Sequence, residues 1–279
     1  MRHIAYHGTP ITGRIEGEPP RSRAALRTLG GNQHDFCVSF YRPEDVEWVD
    51  ENSREWFGDN GIFSMWEEAR KAAEKAGARF EGVSYSHETF EAYLAWCRRW
   101  CLEGSGRCKW VVIPDPIGTG TQDLDHMLRQ WPADLKEFGV PVYHLDDPDE
   151  GESLDRAIML LENYGRMCVG AVGACRVIRS PEFCRRMDDL FNRIVKHFGF
   201  VPPIHFFRGL QLLKPECDWP ILTADSTDVA RNHKRLKALG EHYPWAIRQK
   251  VLRWDRMAEA RSLVWPPKRL ERHPDLFAA

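Results

Sequence analysis

The chain has 279 residues, 43% hydrophobic and 29% charged, enough apolar side chain for a full core, and this excludes a disordered or fibrous protein. No run of about 18 apolar residues occurs and the opening MRHIAY has no apolar stretch of signal-peptide length, so the expectation is a soluble cytoplasmic protein. The formal net charge of −2 names no partner, yet residues 226–279 hold 12 Lys/Arg against 6 Asp/Glu, leaving 27 against 35 for residues 1–225.

Read for period, the chain shows eight short apolar or alternating runs, each ending on a polar residue and followed by a longer helical pattern. They are residues 3–7 (HIAYH), 36–40 (FCVSF), a weak one at 56–59 (WFGD), 110–115 (WVVIPD), 142–146 (VYHLD), 167–172 (MCVGAV), 204–208 (IHFFR) and 221–225 (ILTAD). Several are nearly continuous in apolar residues, as parallel strands buried on both faces are.

Between them, Phe90, Leu94, Cys97 and Cys101 mark a helix after the third run, and Leu124, Leu128 and Trp131 mark another that Pro132 stops. A third runs from a Ser153 cap through Leu154, Ile158 and Leu161 to Gly165. The clearest starts at Ser180 with Pro181 in its first turn, presents Phe183, Met187, Phe191, Ile194 and Phe198, and closes at Gly199. Residues 226–239 read as a helix with Val229, Leu236 and Leu239 inward and Arg231, Lys234, Arg235 and Lys237 largely outward.

Strands alternating with helices in this number predict an α/β fold, a (β/α)₈ TIM-type barrel over residues 1–241, with a basic helical extension at 242–279 packed on it. The rival, a doubly wound sheet, wants a phosphate loop after its first strand, and neither His7-Gly8-Thr9-Pro10 nor Gly118-Thr119-Gly120 completes G-x-G-x-x-G. Trp245, Trp254 and Trp265 lie in the basic segment, which suits either a phosphate backbone with its bases or a solvated amphipathic tail with Trp packed on the body. The eight cysteines contain no C-x-x-C and no His pair at tetrahedral spacing, so reduced thiols are expected rather than zinc or disulfides.

A barrel brings its strand ends to one cavity, here His7, Ser39, Asp59, Asp115, His144 with Asp146, Gly170, His205 with Arg208, and Asp225. Each Asp alone could be a turn or cap residue. Together they are neighbouring carboxylates that repel, an arrangement a substrate has to justify. Two carboxylates suffice for substitution at a sugar carbon, one as nucleophile and one as general acid and base, and a third can accept hydrogen bonds from a purine edge. The alternative of a metal hydrolase built on His7, His144 and His205 lacks the His-x-His pair on the first strand.

Taken in order, Asp59-Asn60-Gly61-Ile62-Phe63-Ser64, Val112-Ile113-Pro114-Asp115 with Gly118 and Gly120, Pro141-Val142-Tyr143-His144-Leu145, Cys168-Val169-Gly170-Ala171-Val172-Gly173, His205-Phe206-Phe207-Arg208-Gly209-Leu210 and the segment from Ala224 to Asn232 resemble the tRNA-guanine transglycosylase superfamily. Within it the resemblance is to the short DpdA-type branch, which inserts 7-deazaguanines into DNA. It implies a transferase, with Asp225 as the nucleophile on C1′, Asp59 as general acid and base, and Asp115 holding the purine N–H groups. His144 and the backbone around Gly170 would read the base carbonyl and exocyclic amine, and Phe63, with Trp66 or Tyr143, would keep water from the covalent intermediate. Charge and position add Arg208, Arg231, Asn232, Lys234 and Arg235 as phosphate contacts.

The implied partners are DNA, with tRNA as the alternative, and a free base such as 7-cyano-7-deazaguanine; no ATP, nicotinamide or metal is required. The same resemblance suggests a phage or mobile-island gene acting in a bacterial cytoplasm, and leaves open a homodimer or further modification proteins. The chain departs from the family's tRNA enzymes in lacking their C-x-C-x-x-C zinc site, in carrying Gly61-Ile62 where Gly-Gly is usual, and in having no added RNA-binding domain. A DNA glycosylase and a non-catalytic nucleic-acid-binding subunit are the competing readings.

Overall fold

The computed structural model of the chain describes residues 3–8, 33–41, 43–80, 82–146, 153–231 and 243–261. Its strands are β1 (Ile4–Gly8), β2 (Asp35–Ser39), β3 (Glu55–Asp59), β4 (Cys108–Val112), β5 (Gly139–Val140 continued as Val142–His144), β6 (Met167–Gly170), β7 (Ile204–Phe206) and β8 (Thr223–Ser226). The described α-helices are α1 (Val46–Asn52), α2 (Ile62–Ala76), α3 (His87–Cys101), α4 (Thr121–Gln130), α5 (Leu154–Tyr164), α6 (Pro181–Phe198), α7 (Asp228–Arg231) and α8 (Tyr243–Glu259).

All strand pairs are parallel, and the sheet runs as nine hydrogen-bonded segments in a nearly closed barrel. The count of nine comes from one residue. Pro141 divides β5, whose first part pairs with β4 (Val112 opposite Val140) and whose second part pairs with β6 (Val142 opposite Cys168). Proline has no N–H to give a ladder, so the strand changes partner there, and its two halves join the ends of the sheet along the chain. Eight strands by chain order therefore form the ring expected of a (β/α)₈ barrel.

Period-two alternation sorts side chains to the two sides of this ring. Ile4, Tyr6, Cys37, Phe57, Trp110, Val112, Val140, Val142 and Cys168 pack with one another inside it, where Phe57 and Trp110 stack 3.9 Å apart. Phe36, Val38, Trp56 and Val111 alternate with them and meet α1 and α3 outside. On the opposite flank Val169, Ile204 and Phe206 bury against α5 and α6.

Local chemistry sets the helix ends. The Ser180 hydroxyl accepts from the Phe183 N–H at 3.2 Å, Pro181 occupies the first turn, and Gly199 closes α6 at φ +75°. Of the stripe read from sequence, Phe183, Met187, Phe191 and Ile194 are buried, joined by Leu190, while Phe198 is only partly buried. Ser153 caps α5 in the same way.

Some strand ends fall short of expectation. β4 stops at Val112, so Asp115 stands three residues into the following loop behind Pro114, and Arg208 stands two beyond β7. The segment between β3 and β4 holds two long helices, α2 and α3, where the apolar spacing marked one. Of the expected helix at 226–239 only Asp228–Arg231 is described, and residues 232–239 lie outside the described residues. In the basic segment α8 packs across β1 through the buried Ile247, Val251 and Ala258, while Trp245 is exposed and Trp265 lies outside the described residues. Among the described residues no helix is long and apolar enough to cross a membrane.

Candidate active site

Asp59 ends β3 beside Ser39, its register partner on β2. The Gly61 N–H donates to Asp59 Oδ2 at 3.2 Å, in a turn that Gly61 enters at φ +79°. A Cβ at Gly61 would approach Tyr41 Cβ to 2.6 Å, so glycine is required there on both counts. Burial and the neighbouring charges of Asp225 and Asp115 push the Asp59 carboxyl up to about 7, against the pull of Ser39 and the Gly61 amide. A carboxyl tuned to that range gives or takes a proton at neutral pH.

Asp225 points inward from β8 and is 8% exposed. Its Oδ1 accepts the Arg208 backbone N–H at 2.8 Å and lies 3.3 Å from His205 Nε2. Both of these contacts fall on Oδ1, and among the described residues none falls on Oδ2. Arg208 holds its amide in place from a left-handed backbone at φ +56°, unusual for a residue with a Cβ. Its guanidinium lies 4.5 Å from the centre of the Phe63 ring on α2, joining two predicted site residues from opposite walls of the barrel.

Asp115 is buried with both oxygens engaged: Asn60 Nδ2 donates to Oδ1 at 2.5 Å and His144 Nε2 is 3.0 Å from Oδ2. Asn60 also donates to the Ile113 carbonyl and accepts from the Ile62 N–H, while Tyr85 donates its hydroxyl to the Asn60 carbonyl. One amide thereby ties the start of α2 to the β4 loop and fixes Asp59 and Asp115 relative to each other. Gly170 pairs with His144 across β5 and β6, and a Cβ there would sit 3.7 Å from the His144 ring, an ordinary contact. Gly170 is therefore not forced by packing.

Two expected members of the cavity are elsewhere. His7 faces outward, because alternation on β1 gives the interior to Tyr6; its Nε2 meets Asp255 Oδ1 of α8 at 3.0 Å, and His34 Nδ1 meets Asp255 Oδ2 at 2.7 Å. Asp146 is spent on backbone, accepting from the Val172 and Cys175 amides at 2.8 and 2.6 Å, which shapes the loop after β6. Of the phosphate contacts, Arg208 is at the mouth; the Arg231 side chain, Asn232, Lys234 and Arg235 lie outside the described residues. Among the described residues no group of three His, Cys, Asp or Glu is arranged to hold a metal.

Asn60, Tyr85, Thr223 and the His34–Asp255 contact were not foreseen. Asn60 adjoins the Asp59 motif and its Asx-turn geometry was readable; Tyr85 and Asp255 carry no local signal, since their partners are distant in sequence. Burial opposes the Asp255 charge, yet hydrogen bonds from His34 and His7 bring its carboxyl down to about 2. That contribution to stability is present above the ordinary Asp value and lost as pH falls toward 2. Asp255→Ala strands two buried imidazoles and is expected to cost about 2–4 kcal/mol at pH 7, read by urea unfolding.

No protein-family model matches the chain, and no curated protein matches it. What the fold and site define is a parallel (β/α) barrel with three carboxylates, Asp59, Asp115 and Asp225, gathered at the C-terminal end of its strands.

Proposed function

We propose that this protein is a DNA-guanine transglycosylase, exchanging guanine for a 7-deazaguanine through a covalent Asp225–sugar intermediate. The observation that carries the reading is the pairing, in one barrel mouth, of a carboxyl pushed up to about 7 with a second carboxylate anchored at one oxygen by the Arg208 amide. Asp225 Oδ2 attacks C1′, the bond from C1′ to the base nitrogen breaks, and the departing guanine takes its electrons and the Asp59 proton. The incoming deazaguanine returns a proton to Asp59, attacks C1′ and frees Asp225, so the polymer is neither cleaved nor hydrolysed.

A buried cavity reaches C1′ only when the nucleotide leaves the base stack, so the substrate is a flipped or single-stranded guanine. Asp115, oriented by Asn60 and His144, accepts from the base edge, and Phe63 limits water, whereas Tyr143 packs outside the barrel against α5 and α6 and has no part in the cavity. Likeness to the DNA-modifying branch favours DNA over tRNA. Arg208 would touch the backbone: glycine suits its φ and keeps its N–H, so Arg208→Gly is expected to reduce the salt slope of duplex binding by about 0.9 with the fold intact. An unchanged slope in a filter-binding titration removes Arg208 from the interface.

The reading is tested by nucleoside mass spectrometry of DNA and tRNA from cells given a 7-deazaguanine and expressing the protein or Asp225→Ala. A deazaguanine nucleoside in DNA that depends on Asp225 supports the proposal. Its occurrence only in tRNA overturns the choice of polymer, abasic sites without incorporation indicate a glycosylase, and no change with DNA affinity retained indicates a binding subunit.

A further inference from the structure

Beneath Asp225, inside the barrel, sits a buried histidine to which the exchange chemistry assigns no task. The His205 ring is enclosed by aromatic groups, with ring centres at 4.8 Å (Phe57), 5.0 Å (Trp110), 5.2 Å (Phe207) and 6.0 Å (Tyr6). Its two nitrogens have one partner each: Nδ1 is 2.8 Å from Thr223 Oγ1, and Nε2 is 3.3 Å from Asp225 Oδ1. Thr223 and Asp225 alternate on β8 and point the same way, and Thr223 is opposite His205 in register. The three groups are thus set by the β7–β8 ladder itself.

From this geometry we infer that His205 is a positioning residue, a neutral imidazole held as its Nε2–H tautomer between the Asp225 carboxylate and the Thr223 hydroxyl, which aims the Asp225 carboxylate so that Oδ2 faces the substrate. The tautomer follows from the donor count. A carboxylate oxygen only accepts, so Nε2 carries the hydrogen. A neutral ring then has its lone pair on Nδ1, and the Thr223 hydroxyl must donate to it. Burial in an apolar cage disfavours the charged ring, and this lowers the His205 pKa although the Asp225 carboxylate pulls it the other way. Neutrality serves a nucleophile, since an imidazolium would withdraw charge from the oxygen pair whereas a neutral donor fixes direction and leaves the carboxylate basic. With the Arg208 amide on the same oxygen, Asp225 is held by two donors from the β7 strand and loop.

The catalytic consequence rests on the transglycosylase reading; the tautomer does not. The test therefore has two independent readouts. In ¹⁵N-histidine NMR of the full chain, with His205→Gln locating the signals, His205 is expected as a single Nε2–H tautomer that stays neutral through the pH range where an ordinary imidazole protonates. Asp225→Ala, which removes the acceptor from Nε2, is expected to release that tautomer. An Nδ1–H ring, or one that protonates with ordinary imidazoles, overturns the inference. In kinetics, His205→Phe is expected to lower kcat by about 10- to 100-fold, the loss of one hydrogen bond to a charged group, with KM little changed and His205→Gln recovering part of it. An unchanged kcat in a folded His205→Phe overturns the positioning role. A fixed Nε2–H tautomer in a protein without exchange activity supports the inference and overturns the transglycosylase reading.

Discussion

Asp225→Asn is expected to abolish base exchange, lowering turnover by about four orders of magnitude or more, with nucleic-acid affinity retained. The amide is nearly isosteric and can still accept the Arg208 N–H at its oxygen, so the β7–β8 region keeps its structure. What disappears is the anionic oxygen that forms the bond to C1′. A second consequence follows in the neighbouring carboxyl. The Asp225 charge is one of the causes that raise Asp59, so its removal brings the Asp59 carboxyl down from about 7. A ¹³C-aspartate titration of the variant reads this shift, and an Asp59 titration unmoved from wild type separates the two groups in space.

Asp59→Asn is expected to lower exchange by about 10²- to 10⁴-fold, the ordinary range for loss of a general acid, while raising the stability of the fold at alkaline pH. The sign follows from linkage. The folded-state carboxyl is raised to about 7, so its proton-linked stability is full below the ordinary Asp value and is lost as pH rises through 7. At pH 8 the wild type carries a half-buried charge facing two others, and the neutral amide does not. The partial opening of Asp59 to solvent reduces the gain, which is on the order of 2 kcal/mol at pH 8 and vanishes near pH 4. Urea unfolding of both proteins at pH 5 and pH 8 measures it. In wild type, the first half-reaction is expected to slow as pH rises above about 7, when the acid is lost.

The barrel was legible because its strands are short, apolar and spaced by capped helices. HIAYH, FCVSF and MCVGAV could be located to within one or two residues, since burial on both faces leaves few alternatives. The strand ends were less legible: Pro114 ends the β4 ladder early, and Pro141 splits β5 between two neighbours, both tertiary effects of a missing N–H. Asp59, Asp115 and Asp225 were visible as the polar terminators of three such runs, and the structure brings them together. His7 also terminates a run, but alternation sends it outward to Asp255, 248 residues away, a partner that no local pattern encodes. The support behind the carboxylates was missed for the same reason. Tyr85 and Thr223 act through contacts between strands and loops that their local sequence does not mark, and Asn60 was readable as an Asx turn but not as a support for Asp115.

The central claim is that Asp225 forms a bond to the sugar, and the most direct measurement is capture of that bond. The full-length protein is incubated with a guanine-containing oligonucleotide without an incoming base, denatured, and examined by intact-mass and peptide-mapping mass spectrometry. A protein–DNA adduct with loss of guanine is expected, attached at Asp225 and absent from Asp225→Asn. Attachment at another residue, or free guanine released with no adduct at any time point, would contradict it.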